Sequence, residues 1–336
     1  MSKYSIIIPV YNSGKWIKEL VEQIVDVMEN SLEQKYEIIL INDSSPEKTT
    51  WDSLKDVCKT YSNTIIIDLQ YNAGQLNALM CGFKHADGDY IITMDDDFQH
   101  NPYEIPKLVN KIKTGNYDCV IGNYIEKKHN IIRRIGSRIS NKLSERIYNK
   151  PHGITSNSFR IINRKTIKAL LEYRGKKPQI GPMIFSVTKK VGVVSIKHEK
   201  RAYGESGYKM RKLVSETVNV ILNASTFPLD IVSIGGLIVA VGSFVIGLIY
   251  FILYIFDRIS VPGFTAQILI TTCLSGIIML SIGCVGKYIG KIVQELIGFP
   301  AYIEKEIIKN CKVEVERSLH EKNNDIGSRD ISTSPH

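Results

Sequence analysis

The chain has 336 residues, 44% hydrophobic and 23% charged, which is enough for a complete α/β domain and an additional region. Lys and Arg (43) exceed Asp and Glu (34), and the net charge of +9 favours an anionic partner: phosphates, nucleic acid or an anionic membrane surface. The six cysteines show no CxxC spacing and no pairing with His, which predicts reduced thiols and excludes a zinc or disulfide framework. No cleavable signal peptide is expected, because a strand follows the first four residues directly.

Apolar runs and amphipathic segments alternate through the first part of the chain. Strands are predicted at 5–12, 36–41 and 64–69, with helices beginning after 13–14, around 51–61 and through 78–83. A strand from Tyr90, a helix from Asn101-Pro102 and strands at 117–121 and 155–161 follow. This alternation with short turns predicts an α/β fold with a doubly wound, mostly parallel sheet.

Polar side chains follow the predicted strands at their carboxyl ends: Asn12, Asp43, Asn72 and Asp95 to Asp97. Ligands of such sheets bind beyond these strand ends, so we expect the side chains to converge. The first strand is not followed by GxGxxG, which argues against a dinucleotide-binding dehydrogenase. The chain contains no GxxxxGK[ST] motif, which argues against a P-loop NTPase.

The stretch from Tyr90 to Gln99 is predicted to be a buried strand that runs out into three carboxylates. Side chains alternate along a strand, so Asp95 and Asp97 should share one face while Asp96 points away and tolerates a small residue. Two carboxylates on one face predict a site for Mg²⁺ or Mn²⁺ with substrate phosphates. The alternative is a solvated acidic turn.

Two basic segments accompany this site. Residues 131–150 alternate Ile and Leu with cations that include Arg133 and Arg134, which predicts either a surface helix or a helix lying in a membrane interface. The segment 197–212, with Arg201, Gly204 and Ser206, has the composition of a loop that closes over phosphates.

Two long apolar runs, 229–256 and 264–285, are joined by a short linker with Pro262-Gly263. Their lengths predict a transmembrane hairpin, and a buried hairpin of a soluble protein is the alternative. Lys and Arg flank the outer ends, which places the catalytic domain and the C-terminus in the cytoplasm. The polar segment 311–336 is predicted to be disordered.

Six motifs occur in one order along the chain: Ile8-Pro9-Val10-Tyr11-Asn12, Asn42-Asp43-Ser44-Ser45, Asn72-Ala73-Gly74-Gln75, Asp95-Asp96-Asp97-Phe98-Gln99, Arg201-x-x-Gly204-x-Ser206 and Gly286-Lys287-Tyr288-Ile289-Gly290-Lys291-Ile292. With them the chain resembles, over residues 4–300, the polyprenyl-phosphate glycosyltransferases of glycosyltransferase family 2. It is similar in pattern to dolichyl-phosphate mannose synthases, bactoprenol glucosyltransferases and undecaprenyl-phosphate aminoarabinose transferases. The resemblance implies a GT-A catalytic domain and inverting transfer of one sugar.

The resemblance also implies roles for individual residues. Pro9, Tyr11 and Asp43 would line the nucleotide base pocket, and Asp95, Asp97 and Gln99 would hold Mg²⁺ or Mn²⁺ on the donor diphosphate. Arg201 and Ser206 would bind phosphates, Arg201 as part of the catalytic set, and Arg133 or Arg134 would meet the lipid phosphate. Further substrate-binding candidates are Asn12, Asn72, Gln75 and Arg160. The chain departs from the pattern at four places: Ser13, Asn42, Asn157-Ser158 and Gly207.

The organisation expected is a catalytic domain at 1–212, a connector helix at 213–228, a hairpin at 229–292 and a partly disordered cytoplasmic tail at 293–336. The expected partners are a nucleotide sugar with uridine favoured, such as UDP-glucose, undecaprenyl phosphate, the inner (plasma) membrane bilayer and further copies in a dimer or tetramer. Nucleic acid is not expected. A processive polysaccharide synthase is disfavoured because Trp16 and Trp51 leave no QxxRW motif. A non-catalytic nucleotide-sugar sensor is the other alternative.

Overall fold

The computed structural model describes residues 2–124, 154, 157–173, 175, 178–196, 264–296, 300–309 and 312–314, with scattered positions between 232 and 256. The chain divides into two compact units, one of residues 1–206 with 299–336 and one of residues 207–298. The predicted interfacial helix at 131–150 and the predicted connector at 213–228 lie outside the described residues.

Among the described residues, nine strands form one mixed sheet in the first unit. They are β1 (Lys3–Val10), β2 (Lys35–Asn42), β3 (Thr64–Leu69), β4 (Tyr90–Thr93), β5 (Cys119–Tyr124), β6 (Arg160–Asn163), β7 (Val191–Ile196), β8 (Glu304–Lys309) and β9 (Lys312–Glu314). Their order is β7-β5-β6-β4-β1-β2-β3-β8-β9. The four central strands are parallel, while β6 and β8 pair antiparallel with their neighbours. The prediction of an α/β fold with a mostly parallel sheet is confirmed.

Helices cover both faces of this sheet. They are α1 (Ile17–Asp26), α2 (Lys48–Thr60), α3 (Gln75–His85), α4 (Ile105–Thr114), α5 (Arg164–Leu171) and α6 (Ile180–Val187). A π-helical turn (Val27–Ser31) extends α1, and a 3₁₀ turn (Pro102–Glu104) precedes α4. Side chains alternate along β1, so Ile6 and Ile8 pack with α1, α2 and α4, whereas Ile7 packs with α3, α5 and α6. The sheet is therefore buried on both sides, which explains its nearly continuous apolar strands.

Strand boundaries differ from the predictions where the site is built. β1 ends at Val10, because Asn12 adopts a left-handed conformation with φ 57°. β4 ends at Thr93, so all three consecutive carboxylates lie in the turn beyond it. β6 begins at Arg160 and runs antiparallel to β4. The side chains of the candidate site thus belong to loops at the strand ends.

The C-terminal part of the chain returns to the sheet, where sequence analysis expected a separate tail. β8 pairs with β3 from Ile65–Lys309 to Leu69–Glu304, and β9 pairs with β8. The segment EKEIIK is short and four of its six residues are charged, so it lacks the apolar run by which the other strands were predicted. The fold of the first unit therefore includes chain from both sides of the 207–298 unit.

The second unit contains α7 (Phe264–Leu296), which begins where the second apolar run was predicted and continues beyond it. The first run, 229–256, is described only at scattered positions, which are helical from 232 to 252. In the described portion, no helix combines the length and apolarity required to cross a bilayer.

Gly82 provides a test of the contact between α3 and β1. A Cβ atom here would lie 2.4 Å from Cγ2 of Ile7 and 3.0 Å from Cδ1 of Ile41. Gly82→Ala in a helix would ordinarily stabilise by about 0.5–1 kcal/mol, but we expect a loss of about 1–3 kcal/mol from overpacking. Urea unfolding, followed by the fluorescence of Trp16 and Trp51, measures the change in unfolding free energy. A variant more stable than the wild type would contradict the packing described.

Candidate active site

A cleft opens at the carboxyl edge of the parallel strands. β1 lies between β2 and β4, and the chain proceeds to β2 and β3 on one side and to β4 on the other, so this edge is a topological switch point. The cleft has a volume of about 300 Å³ and is lined by Pro9, Val10, Tyr11, Asp43, Asn72, Gly74, Gln75, Asp95, Asp96 and Asp97. The strand-end residues predicted to converge, apart from Asn12, lie in its wall.

Asp95 is held by donors from two other segments. Its Oδ1 accepts a hydrogen bond from Nε2 of Gln75 at 2.5 Å, and its Oδ2 accepts one from the Ser158 hydroxyl at 2.8 Å. The backbone N–H of Asp95 donates to Nδ1 of His100 at 2.9 Å. Each carboxylate oxygen keeps a further lone pair, so the residue can still coordinate a cation.

Asp96 lies in the cleft wall, contrary to the expectation that it points away, and its contacts argue for a positioning role. Its Oδ2 accepts hydrogen bonds from the backbone N–H of Tyr11, at 3.1 Å, and from the Ser13 hydroxyl. Its carbonyl oxygen accepts from Nε1 of Trp16 at 2.6 Å. Strand alternation does not apply, because the chain has left β4 by this point. Asp96 instead connects the acidic turn to the loop after β1.

Burial raises the pKa of the Asp96 carboxyl to about 6, against hydrogen bonds from Ser13 and Tyr11 that lower it. The adjacent carboxylates of Asp95 and Asp97 raise it further. The ionised form of this side chain is therefore costly in the folded protein.

Asp97 lies in the cleft wall, and its Oδ1 accepts from the backbone N–H of Gln99 at 3.1 Å. Gln99 itself is not among the lining residues. Phe98, between them, has φ 59° and turns the chain sharply. Asp95 and Asp97 therefore offer carboxylate oxygens to one cleft, which is the donor chemistry that Mg²⁺ and Mn²⁺ prefer.

Sequence analysis missed His100, which lies behind Asp95. The ring is buried, stacks on Phe159 with centroids 5.1 Å apart, and contacts Oδ1 of Asn157 through Nε2 at 3.2 Å. Because Nδ1 accepts from the Asp95 amide, the bond to Asn157 requires the proton on Nε2. Asn157 in turn donates from Nδ2 to the Gly122 carbonyl at 2.8 Å. The one sequence feature that could have pointed to this contact is the polar pair Asn157-Ser158, which directly precedes an apolar strand.

Asp43 organises the loop between β3 and α3. Its two carboxylate oxygens accept from the backbone N–H groups of Ala73 at 2.7 Å and Gly74 at 2.9 Å. Burial raises the pKa of Asp43, and these two bonds lower it. Gly74 has φ 86°, a conformation in which a side chain is strained, immediately before α3. The predicted base-pocket residue therefore also shapes the loop that carries Asn72 and Gln75.

The other predicted residues lie outside the cleft wall or outside the described residues. Asn12 caps the neighbouring turn, where its N–H donates to the Ser45 hydroxyl at 3.0 Å. Arg160 is buried in β6, where burial lowers its pKa and its Nε donates to the Thr93 hydroxyl at 3.4 Å. The remaining four, Arg133, Arg134, Arg201 and Ser206, lie outside the described residues.

Substitutions of Asp96 test its positioning role. Asp96→Ala leaves the Tyr11 N–H and the Ser13 hydroxyl without their acceptor, whereas Asp96→Asn keeps an acceptor oxygen and likewise carries no charge. We expect the unfolding free energy of Asp96→Ala to be about 1–3 kcal/mol below that of Asp96→Asn, the matched control. Urea unfolding at pH 8 measures the difference, and equal stability of the two variants would contradict the role.

The stability difference between Asp96→Asn and the wild type should depend on pH. The pKa of about 6 in the folded protein lies above the ordinary Asp pKa of 3.8, so the ionised Asp96 lowers stability above pH 6, and this cost disappears as the pH falls towards 4. Asn carries no such cost. We expect Asp96→Asn to gain stability relative to the wild type at pH 8 and to lose that gain by pH 4, in protein freed of metal by a chelator. A constant difference across this range would contradict the burial of the carboxylate.

The chain is similar to solved proteins from Mycobacterium tuberculosis and S. aureus. A glucosyl-3-phosphoglycerate synthase from Mycobacterium tuberculosis, in complex with Mn²⁺, UDP-glucose and phosphoglyceric acid, matches with a TM-score of 0.50 and 14% identity over 66% of this chain and 78% of that one. TarS from S. aureus, in complex with UDP-GlcNAc, matches with a TM-score of 0.45 and 18% identity over 66% of each chain. At 14% identity, the similarity to the M. tuberculosis protein concerns the fold alone.

The sequence itself matches a family model. Residues 5–171 match "Glycosyl transferase family 2", and this range contains β2 to β6, all but the first two residues of β1, and every residue that lines the cleft. The cleft at the switch point, with Asp95 and Asp97, is therefore part of the matched region. Residues 5–171 thus form a glycosyltransferase family 2 domain with a GT-A-like fold.

Proposed function

We propose that the protein transfers a single sugar from a nucleotide diphosphate sugar to a polyprenyl phosphate, with Mg²⁺ or Mn²⁺ and with inversion. The observation that carries the proposal is the convergence of Pro9, Asp43, Asn72, Asp95 and Asp97 on one cleft in a glycosyltransferase family 2 domain. The identity of the acceptor and the membrane location are proposed from the sequence.

The donor would lie along the cleft from the β1 end to the acidic turn. Tyr11 is 49% exposed at the cleft and offers a ring face to a base, while Pro9 and the Asp43-supported loop form the walls. Uridine is the base we favour, in keeping with the UDP-glucose of the M. tuberculosis complex. Asp95 and Asp97 would then lie at the diphosphate.

A divalent cation fits the acidic turn. Asp95 and Asp97 would hold it, with Gln99 beside them, and when bound it would neutralise charge on the departing nucleoside diphosphate. Gln75 and Ser158 keep the Asp95 carboxylate in place before any substrate arrives. Preorganisation of this kind reduces the reorganisation required during the reaction. Arg201 and Ser206 are proposed to add phosphate contacts.

The acceptor we propose needs no general base. A polyprenyl phosphate is already ionised at neutral pH, so its oxygen can attack the anomeric carbon directly and invert it. The side chain at 157, near the cleft, is an amide whose Oδ1 and Nδ2 contact His100 and Gly122. An amide cannot abstract a proton, and this agrees with an ionised acceptor.

A membrane location is proposed from the two apolar runs at 229–256 and 264–285 and the cations that flank their outer ends. Described side chains of α7 support a lipid-facing or partner-facing surface: Ile270, Ile278, Met279 and Ile282 are all more than half exposed. We propose that the hairpin inserts in the inner (plasma) membrane with the catalytic domain in the cytoplasm. The basic segments at 131–150 and 197–212 would meet the lipid phosphate, and dimers or tetramers are proposed.

A donor screen tests the proposed reaction. The full chain in detergent is incubated with Mn²⁺, undecaprenyl phosphate and single UDP-sugars, and lipid extracts are examined by mass spectrometry. We expect one sugar per lipid from one donor. A polymer would indicate a processive synthase. Nucleotide-sugar binding with no transfer to any lipid phosphate would indicate a sensor and would contradict the enzyme.

Substitution of the acidic turn tests the cation site. We expect Asp97→Ala to reduce transfer by about 10²–10³-fold or more, because charge on the leaving diphosphate is no longer neutralised. Asp52→Ala, which removes an exposed carboxylate of α2, is the matched control and should leave activity unchanged. Initial rates with saturating Mn²⁺, together with matching unfolding curves, give the comparison. Full activity of Asp97→Ala would eliminate Asp97 as a cation ligand.

A further inference from the structure

A second group of potential metal ligands lies on α3 and β8. Cys81 and His85 are four residues apart on α3 and so share one face of the helix. Glu304 is the first residue of β8. One ligand atom from each, the Cys81 sulfur, a His85 ring nitrogen and a Glu304 carboxylate oxygen, all lie within 4.8 Å of one another.

The distances suit a tetrahedral transition-metal ion. Oε1 of Glu304 lies 3.0 Å from Nε2 of His85 and 3.6 Å from Sγ of Cys81. Ligands of tetrahedral zinc, with bonds of about 2.0–2.3 Å, are separated by roughly 3.3–3.6 Å, so small side-chain movements would complete the geometry. A thiolate and an imidazole favour Zn²⁺ over Mg²⁺ or Mn²⁺, the ions suited to the carboxylates in the cleft.

The surroundings are those of a closed site. Cys81 is fully buried, Glu304 is 7% exposed, and the His85 side chain is 11% exposed, so most of the surface of the three side chains is shielded from solvent. The Lys84 ammonium lies 3.2 Å from the same Glu304 oxygen, and its side chain is 54% exposed. Lys84 can therefore neutralise the carboxylate in the metal-free protein and swing into solvent when a cation enters.

We propose that Cys81, His85 and Glu304 bind one Zn²⁺ ion, with water as a fourth ligand, as a structural clip. The ion would join α3, whose first residue Gln75 contacts Asp95, to a strand that the chain forms only after the 207–298 unit. Binding releases the thiol proton of Cys81 to solvent. No zinc framework was expected from the sequence, because the cysteines show no CxxC spacing and no recognised pairing with His, and Glu304 lies far along the chain from Cys81 and His85.

Metal analysis of the purified full-length protein tests the site. After dialysis against zinc and then metal-free buffer, we expect about one zinc per chain, and cobalt substitution should give a near-ultraviolet thiolate-to-cobalt charge-transfer band. Cys81→Ser should lose the band, and Cys81→Ser and His85→Gln should each retain less than a tenth of the zinc. Cys58→Ser is the matched control, because it replaces another buried thiol and should keep both signals.

Thermal unfolding provides a second readout that does not depend on catalysis. Saturating Zn²⁺ should raise the Tm of the wild type by roughly 5 °C, and should not raise that of His85→Gln. Wild-type protein that binds no zinc and shows no cobalt–thiolate band would overturn the proposal. Equal zinc content in Cys81→Ser and the wild type would overturn it as well, since the ion would then lie elsewhere.

Discussion

Three consecutive carboxylates at the end of one strand repel one another, and the rest of the catalytic unit is arranged to hold them. The described hydrogen bonds to the side chains of Asp95 and Asp96 come from neutral donors: the Gln75 amide, the Ser158 and Ser13 hydroxyls and the Tyr11 N–H. Neutral donors fix the positions of these carboxylates without cancelling their charge. The turn therefore keeps the negative potential that a divalent cation requires.

These donors come from three separate places in the sequence: the loop after β1, the start of α3 and the residues before β6. The sheet brings them together because the carboxyl ends of the parallel strands and the amino end of the antiparallel strand β6 share one edge. The apolar core on both faces, with Ile6 and Ile8 on one side and Ile7 on the other, keeps those strand ends fixed. A rigid sheet thus supports a site that is built almost wholly from loops.

The sequence predicted that Asp43, Asn72, Asp95 and Asp97 lie at one cleft. The prediction succeeded because the apolar runs have the length typical of buried strands, and the end of each run marks the end of its strand well. The prediction failed for Asp96, since the chain leaves the strand two residues before the carboxylates and side-chain alternation ends there. His100 was missed because its role depends on packing with Phe159. The pairing of β8 with β3 was missed because long-range pairing of a short, charged strand has no local signal.

Under the proposed function, donor binding depends on a cation at the acidic turn, and the most direct measurement is UDP affinity by titration calorimetry with and without Mn²⁺. We expect UDP to bind the wild type at least tenfold more tightly with Mn²⁺, a difference of about 1.4 kcal/mol or more. The Asp95→Asn, Asp97→Asn double variant should lose that difference. Equal affinity of the wild type with and without Mn²⁺ would contradict the assignment of the acidic turn as the donor diphosphate site.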